Sequence, residues 1–411
     1  MYLSFEIILN MESIQEIYKI GHGPSSSHTM GPKKAADRFL AKNEKAARFE
    51  VILYGSLGAT GKGHLTDYVI EQTFKTKELK IIWKPKIFLP EHPNGMNFKA
   101  FGNDNKLLDE WTVFSVGGGT IIDDFTKKET KDVYPHNKMD DILMWCNQNG
   151  KQLWEYVAEF ENDEIWDYLK EVWSVMEGSI KKGLSTDGVL PGGLMLPRKA
   201  QSFNMKGATY ATPFKRRSQL FSFALAVSEQ NAAGGKVVAA PTCGSSGTLP
   251  AVLKYAKKIF KSDKDSILRA LATAGLVGNI VKTNASISGA EVGCQGEIGT
   301  ACAMASAAAT QLMGGTIYQI EYSAEMGIEH HLGLTCDPVA GLVQIPCIER
   351  NAFAAERAIS HNNYALLTDG RHRISFDEVV ETMYKTGIDL QSRYRETSEG
   401  GLANFDALPK C

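Results

Sequence analysis

Cys294, Cys336 and Cys347 are the residues whose type and setting point most directly to chemistry. Cys294 lies in "GAEVGCQGE", where flanking glycines let the backbone approach a bulky group closely. In "CDPVAGLVQIPCIERNAF", Asp337 and Pro338 read as the N-cap and first residue of a helix, with Cys336 at its N-terminal end. Pro346 would end that helix and start the next, placing Cys347 at a helix N-terminus as well. The helix dipole predicts that both thiols ionise easily, and thiolates are what a metal or cluster needs. The spacing C-x41-C-x10-C fits no zinc pattern of paired C-x2-C knuckles.

Hydroxyl and imidazole groups gather in two loops. "GHGPSSSHTMGP" (21–32) sets Ser25, Ser26, Ser27 and Thr29 beside His22 and His28 just before a helix, a set of hydroxyls and amides suited to a carboxylate or phosphate. Its bland reading is an N-cap with a serine loop. "YGSLGATGKGHLTD" (54–67) runs from a strand into a glycine-rich turn with Lys62 and His64. Gly63 after Lys62 breaks the phosphate-loop register, so a nucleotide site is not expected. A histidine in such a turn can be a general base near neutral pH, or only a surface residue. "VVAAPTCGSSGTLPAVL" (237–253) reads as strand, small-residue loop and helix, with Cys243, Ser245 and Ser246 near the helix start.

These loops need elements to hold them. Between about 46 and 120, "RFEVILYGS", "LKIIWKPKIFL" and "NFKAFGNDNKLLDEWTVFSVGGG" read as strands, with "GNDN" (102–105) as a hairpin turn and "GPKKAADRFLAKNEKA" before them as a helix. Beyond 140 helical spacing takes over. Ile165, Leu169, Val172, Trp173 and Met176 recur on one face after Asn162 or Asp163 as cap. "DKDSILRALATAGLVGNIVKTN" and the alanine-rich "GTACAMASAAATQLMGG" are apolar on nearly every side, as central helices are. The fold class expected is α+β: an N-terminal mixed α/β domain with a β-sheet (11–150), then a mainly α-helical domain (155–411), with the boundary in the polar stretch near 140 to 160.

The 411 residues carry a net charge of −2, with 43 % apolar and 22 % charged residues, a globular composition without an electrostatic footprint for nucleic acid or anionic membrane. No apolar run of about 18 residues offers a membrane span. "MYLSFEIILN" makes a poor signal peptide, and Met11 opens a second start, so the first ten residues read as an extension of a cytoplasmic protein. Seven cysteines, an odd number in a long chain, argue against a disulfide framework. Cys302 within the alanine helix reads as a packing residue and Cys146 as structural.

Taken together, "GHGPSSSHTMGP", "GSLGATGKGH", "SVGGG", "LPGGLMLPRKA", "AAGGKVVAAPTCGSSG", "SGAEVGCQGE", "CDPVAGLVQIPCIERNA" and "YRETSEGGLA" resemble, in order, the iron-sulfur L-serine dehydratases (L-serine ammonia-lyases) of the single-chain bacterial type, over about 12 to 411. The resemblance implies a [4Fe-4S] cluster on Cys294, Cys336 and Cys347, with one iron left open as a Lewis acid. It implies conversion of L-serine to pyruvate and ammonia without pyridoxal phosphate, with the active site at the domain interface. His64 is the first choice of base and His28 the second. Ser25, Ser26, Ser27 and Thr29 are candidates to hold the substrate, though this domain in the family can also carry a regulatory amino-acid site, and Ser115 and Gly117 to Gly119 complete the pocket. Many members carry asparagine in place of Cys243, which is therefore not counted as a ligand. Some end in a cysteine that folds inward to cap the open iron, a role that would fall to Cys411, with Gly400 and Gly401 as the bend. A homodimer is expected. The alternatives are a non-catalytic iron-sulfur redox or iron sensor, and a structural zinc or thiol protein. The first would bind a cluster without making pyruvate, and the spacings disfavour the second.

Overall fold

The computed structural model describes residues 11–123, 131–397 and 399–405 of an α+β protein. Alternation builds its sheet: in Arg48–Tyr54 the side chains of Phe49, Val51 and Leu53 share one face and are buried. This strand pairs in parallel with Glu78–Lys84 and antiparallel with Gly95–Phe101, and the sheet continues through Leu107–Ser115 to Ile121–Ile122. The expected hairpin is present, with Asn105 at φ 59° and Gly102 N–H donating to the Lys106 carbonyl at 3.0 Å. Ala35, Ala36 and Phe39 of the Gly31–Lys42 helix and Ile70 of Thr66–Thr73 cover the buried face. The second of these helices was not foreseen, because eight residues are too few to display a periodicity. The parallel strand pair nevertheless requires a crossover, and this helix lies in it.

Helices make up the rest. Thr300–Leu312 is buried from Thr300 through Thr310, and its small side chains admit close neighbours. A Cβ on Gly327 of the Ile317–Glu329 helix would lie 2.5 Å from the Ala303 Cα. Lys264–Asn284 starts at Asp263, whose carboxylate accepts from Ser266 N–H at 2.8 Å, the expected cap. Asp163 occupies the cap position of Glu164–Leu184 without a side-chain hydrogen bond. Among the described residues no helix is long and apolar enough to cross a membrane.

The chain threads both units before it leaves the first. Met11, Ile14, Ile17 and Tyr18 pack in the helical core, and the Tyr18 hydroxyl donates to the Leu271 carbonyl at 2.7 Å. Lys19–His22 pairs antiparallel with Lys236–Ala239. Only beyond His28 does the chain cross to the sheet, so the turn at 26–30 lies at the junction of the two cores.

The helix expected from Asp337 to Pro346 does not form. Val339–Gly341 is a single 3-10 turn, and Pro338 is extended (φ −65°, ψ 130°). Gly341 takes φ 66°, and Val339 N–H turns forward to the Ile345 carbonyl at 2.9 Å, so the backbone bonds close a loop instead of a helix. Cys336 therefore sits in extended chain that bridges to Arg395, not at a helix end. Cys347 does open the Cys347–Leu366 helix as expected.

Candidate active site

Two π-helical turns, Ser26–Met30 and Gln295–Gly299, each run directly into an α-helix and present chemistry-bearing side chains where the units meet. Turns of this kind interrupt the regular bond ladder and recur at functional sites. In the first, Ser25 caps the turn by accepting from His28 N–H at 3.1 Å, and its own N–H donates to Thr29 Oγ1 at 3.1 Å. Thr29 Oγ1 in turn donates to the His64 carbonyl at 2.7 Å. This local network fixes His28 and His64 with ring centroids 4.5 Å apart, edge to face.

His64 reaches the junction because Gly63 has no side chain: a Cβ there would lie 2.4 Å from the Gly341 carbonyl of the helical unit. Lys62 stays outside, 5.7 Å from the Trp83 ring, which is the bland outcome for the phosphate-loop lookalike. Both histidines are buried, and burial depresses both imidazoles, His64 to about 3. They differ in their partners. His28 is engaged on both ring nitrogens, Nδ1 to Ser27 Oγ at 2.9 Å and Nε2 to Ser56 Oγ at 3.1 Å, whereas His64 Nδ1 has no partner among the described residues.

Ser25, His64, Cys294, Cys336 and Cys347 line one small cavity, so a serine, a histidine and three thiols from five separate segments face one another. Two acids that sequence reading passed over join them, the half-buried Glu297 and the buried Glu396. Glu297 Oε2 lies 3.7 Å from Cys294 Sγ and 3.9 Å from Cys336 Sγ, and Gly289 makes room, since a Cβ there would meet that oxygen at 2.7 Å. Glu396 Oε1 lies 3.5 Å from His28 Nδ1. Its backbone is tied down twice, by N–H to the Cys336 carbonyl at 2.8 Å and by its carbonyl accepting from Ser56 Oγ at 2.7 Å. Both acids stand in quoted motifs, "GCQGEIG" and "YRETSEGG", but nothing local marks them as inward-facing.

The expectation of easily ionised thiols is overturned. Contact with Cys294 and burial hold the Cys336 thiol well above its ordinary range, and burial and the Cys294 charge do the same for Cys347. Burial also raises both glutamates. Dipole stabilisation at the start of one helix is smaller than the cost of several anions in one dry site. Arg350, half-buried and felt electrostatically by all three cysteines, offsets part of that charge. A site built of acidic donors with little cation to balance them is chemically suited to a metal cluster, whose irons would supply the charge and take the thiolates.

The remaining expected residues lie around this cavity. Ser26 and Ser27 are buried within the first turn. Ser115 packs on Gly31, where a Cβ would come within 2.2 Å of its Oγ, and Gly117 and Gly118, both at positive φ, abut Ser288 and Ile287. These three do not line the cavity. Cys243 is buried with Sγ 3.4 Å from Met30 Sδ, and Cys302 packs against the Ala354 carbonyl. Asn351 clamps the loop after Cys243 to the helix that carries Cys347, bonding Gly244 O at 2.7 Å, Gly247 N at 2.9 Å and Cys347 O at 2.9 Å. Gly400 and Gly401 turn the chain beside Cys336, where Leu402 N–H donates to Asp337 Oδ2 at 2.7 Å. Cys411 lies outside the described residues.

Comparison with known sequences gives concordant matches. A sequence profile of the family described as "Serine dehydratase alpha chain" matches residues 42–403. The chain is 41 % identical to an L-serine dehydratase of Haemophilus influenzae, covering 96 % of this chain and 99 % of that protein. It is 40 % identical to L-serine dehydratase 2 of Escherichia coli (96 % and 98 % covered) and 39 % identical to an L-serine dehydratase of Streptomyces coelicolor (95 % and 98 % covered).

Proposed function

Because the chain belongs to the serine dehydratase alpha chain family, we propose that it converts L-serine to pyruvate and ammonia in the cavity where His64 faces Cys294, Cys336 and Cys347. That convergence of three buried thiols with an imidazole whose Nδ1 has no partner among the described residues is the observation that carries the reading. The three cysteines would hold a [4Fe-4S] cluster, which supplies an open Lewis-acidic iron to make the β-hydroxyl a tolerable leaving group.

The chain's own residues do the rest. His64, uncharged at neutral pH, takes the α-proton; His28 is the second choice, because both its nitrogens are already engaged. Ser25, on the cavity wall, holds the substrate's carboxylate or ammonium, and Ser27 and Thr29 keep His28 and His64 in place. Ser26, Ser115, Gly117 and Gly118 support the wall behind them. Loss of the α-proton and the β-hydroxide leaves aminoacrylate, which tautomerises and hydrolyses to pyruvate and ammonia. Burial of the site keeps bulk water from the reacting carbon. Cys411 is the fourth thiol in this reading, supported by the bend at Gly400 and Gly401 beside Cys336.

The division of labour is between a sheet-bearing N-terminal domain and a helical catalytic domain, in a cytoplasmic protein whose six described cysteines are free thiols. The assembly is a homodimer, to be checked by light scattering; the mass of a single 45.1 kDa chain would exclude it. The function is tested anaerobically with L-serine on wild type and His64→Asn, reading pyruvate and visible absorbance together. The variant should lose about 10²- to 10⁴-fold in rate with unchanged absorbance. Undiminished pyruvate formation would remove His64 from the mechanism, and no pyruvate from brown wild-type protein would remove the reaction.

A further inference from the structure

His28, His64 and Glu396 form a donor set separate from the thiols: one ligand atom from each lies within 4.8 Å of the other two, and all three residues are buried. Hydrogen bonding fixes which nitrogen of His28 is available. Ser56 Oγ donates its proton to the Glu396 carbonyl at 2.7 Å, so toward His28 Nε2, 3.1 Å away, it can only accept. The ring proton of His28 is therefore on Nε2, and its lone pair is on Nδ1, which faces Glu396 Oε1 at 3.5 Å. Ser27 Oγ donates to that nitrogen at 2.9 Å and can turn instead to Ser25 Oγ, 3.4 Å away. His64, 1 % exposed, has no partner for Nδ1 among the described residues, and burial keeps both rings neutral. A buried polar atom left unpaired is costly, so this nitrogen calls for a ligand.

The chemistry of the set selects its ligand. Two neutral imidazoles and a carboxylate suit first-row divalent cations, whereas hard ions such as Mg²⁺ take oxygen ligands. The spacing agrees. Two donors each about 2.1 Å from a tetrahedral ion stand about 3.4 Å apart, and His28 Nδ1 and Glu396 Oε1 are 3.5 Å apart. The set is also held in place: Thr29 bonds the His64 carbonyl, Ser25 bonds the His28 N–H, and Glu396 is tied through its backbone to Cys336 and Ser56. From this convergence we infer that His28, His64 and Glu396 form an inhibitory site for a divalent transition cation of the Zn²⁺ class. His64 and Glu396 line the catalytic cavity, so the ion would sit on its wall. It takes from His64 the lone pair that would accept the α-proton, so occupancy and turnover exclude each other. That consequence rests on the dehydratase reading, and the binding itself does not.

The test is equilibrium dialysis of the anaerobic full-length holoenzyme against radiolabelled Zn²⁺, with pyruvate formation from L-serine followed at the same zinc concentrations. Glu396→Gln and His28→Gln should each weaken binding about tenfold or more, since even the loss of an outer partner of a metal ligand costs that much. Zinc should stop pyruvate formation in wild type over the range in which it binds, reversibly on chelation. Visible absorbance should stay unchanged, because the thiols are not the ion's ligands. The inference fails if zinc does not bind, if both variants bind it like wild type, if binding bleaches the absorbance, or if bound zinc leaves pyruvate formation untouched. Should Glu396→Gln not fold, His28→Gln alone decides. A preparation that makes no pyruvate before zinc is added removes the dehydratase reading, and dialysis still decides the site.

Discussion

His64 has a stability cost that its variant isolates. In the folded chain the imidazole is pushed down to about 3, against 6.5 for the ordinary group, because burial disfavours its charged form. Above pH 6.5 neither the folded nor the unfolded chain carries that proton, and stability is unaffected. As the pH falls below 6.5 the unfolded chain takes up a proton that the folded chain refuses, which at pH 5 destabilises the fold by about 2 kcal/mol. The cluster-free His64→Asn chain lacks this term, so its melting temperature should fall less than wild type between pH 7 and pH 5. Parallel falls would mean that His64 is not held neutral. The same residue illustrates what sequence made visible: a histidine in a glycine-rich turn is legible as a candidate, but Glu297 and Glu396 are not, since a lone glutamate in a motif carries no mark of which way it faces.

At the scale of elements, the site depends on segments locked end to end. Asn351, in the helix opened by Cys347, bonds the loop at Gly244 and Gly247 as well as the Cys347 carbonyl. Asn351→Ala removes these bonds from a buried place and should cost about 2–4 kcal/mol, read by chemical denaturation, because buried partners are left unsatisfied. It should also loosen Cys347, so that visible absorbance decays faster in air than in wild type. Unchanged stability would mean that the loop holds itself. The two π-helical turns belong to this scale too. Neither was foreseen, since an extra residue in a helical turn leaves no signature in apolar spacing, and each is stabilised by contacts with distant chain such as Thr29 with His64.

Across the whole molecule, the residues placed in the cavity come from the N-terminal turn, the sheet unit, the middle of the helical unit and the stretch at Glu396 that follows its last helix. The tail's approach to Cys336 gives a test of Cys411: if it is the fourth thiol, Cys411→Ser should shorten the lifetime of visible absorbance in air, and an unchanged lifetime would leave the tail idle. The α+β class, the hairpin at 102–105, the buried alanine helix and the candidate cysteines and histidines were all legible in the chain by itself. Those features rest on local periodicity, turn chemistry and residue type, which a sequence displays directly. Only tertiary structure decided which candidates meet. It put Ser25 and His64 on the cavity and left Ser115, Gly117 and Gly118 behind it. It replaced the expected 337–346 helix with a loop and turned the thiols from acidic to reluctant. The reason is physical: burial, like-charge crowding and partner choice arise between segments hundreds of residues apart, so no window of sequence contains them.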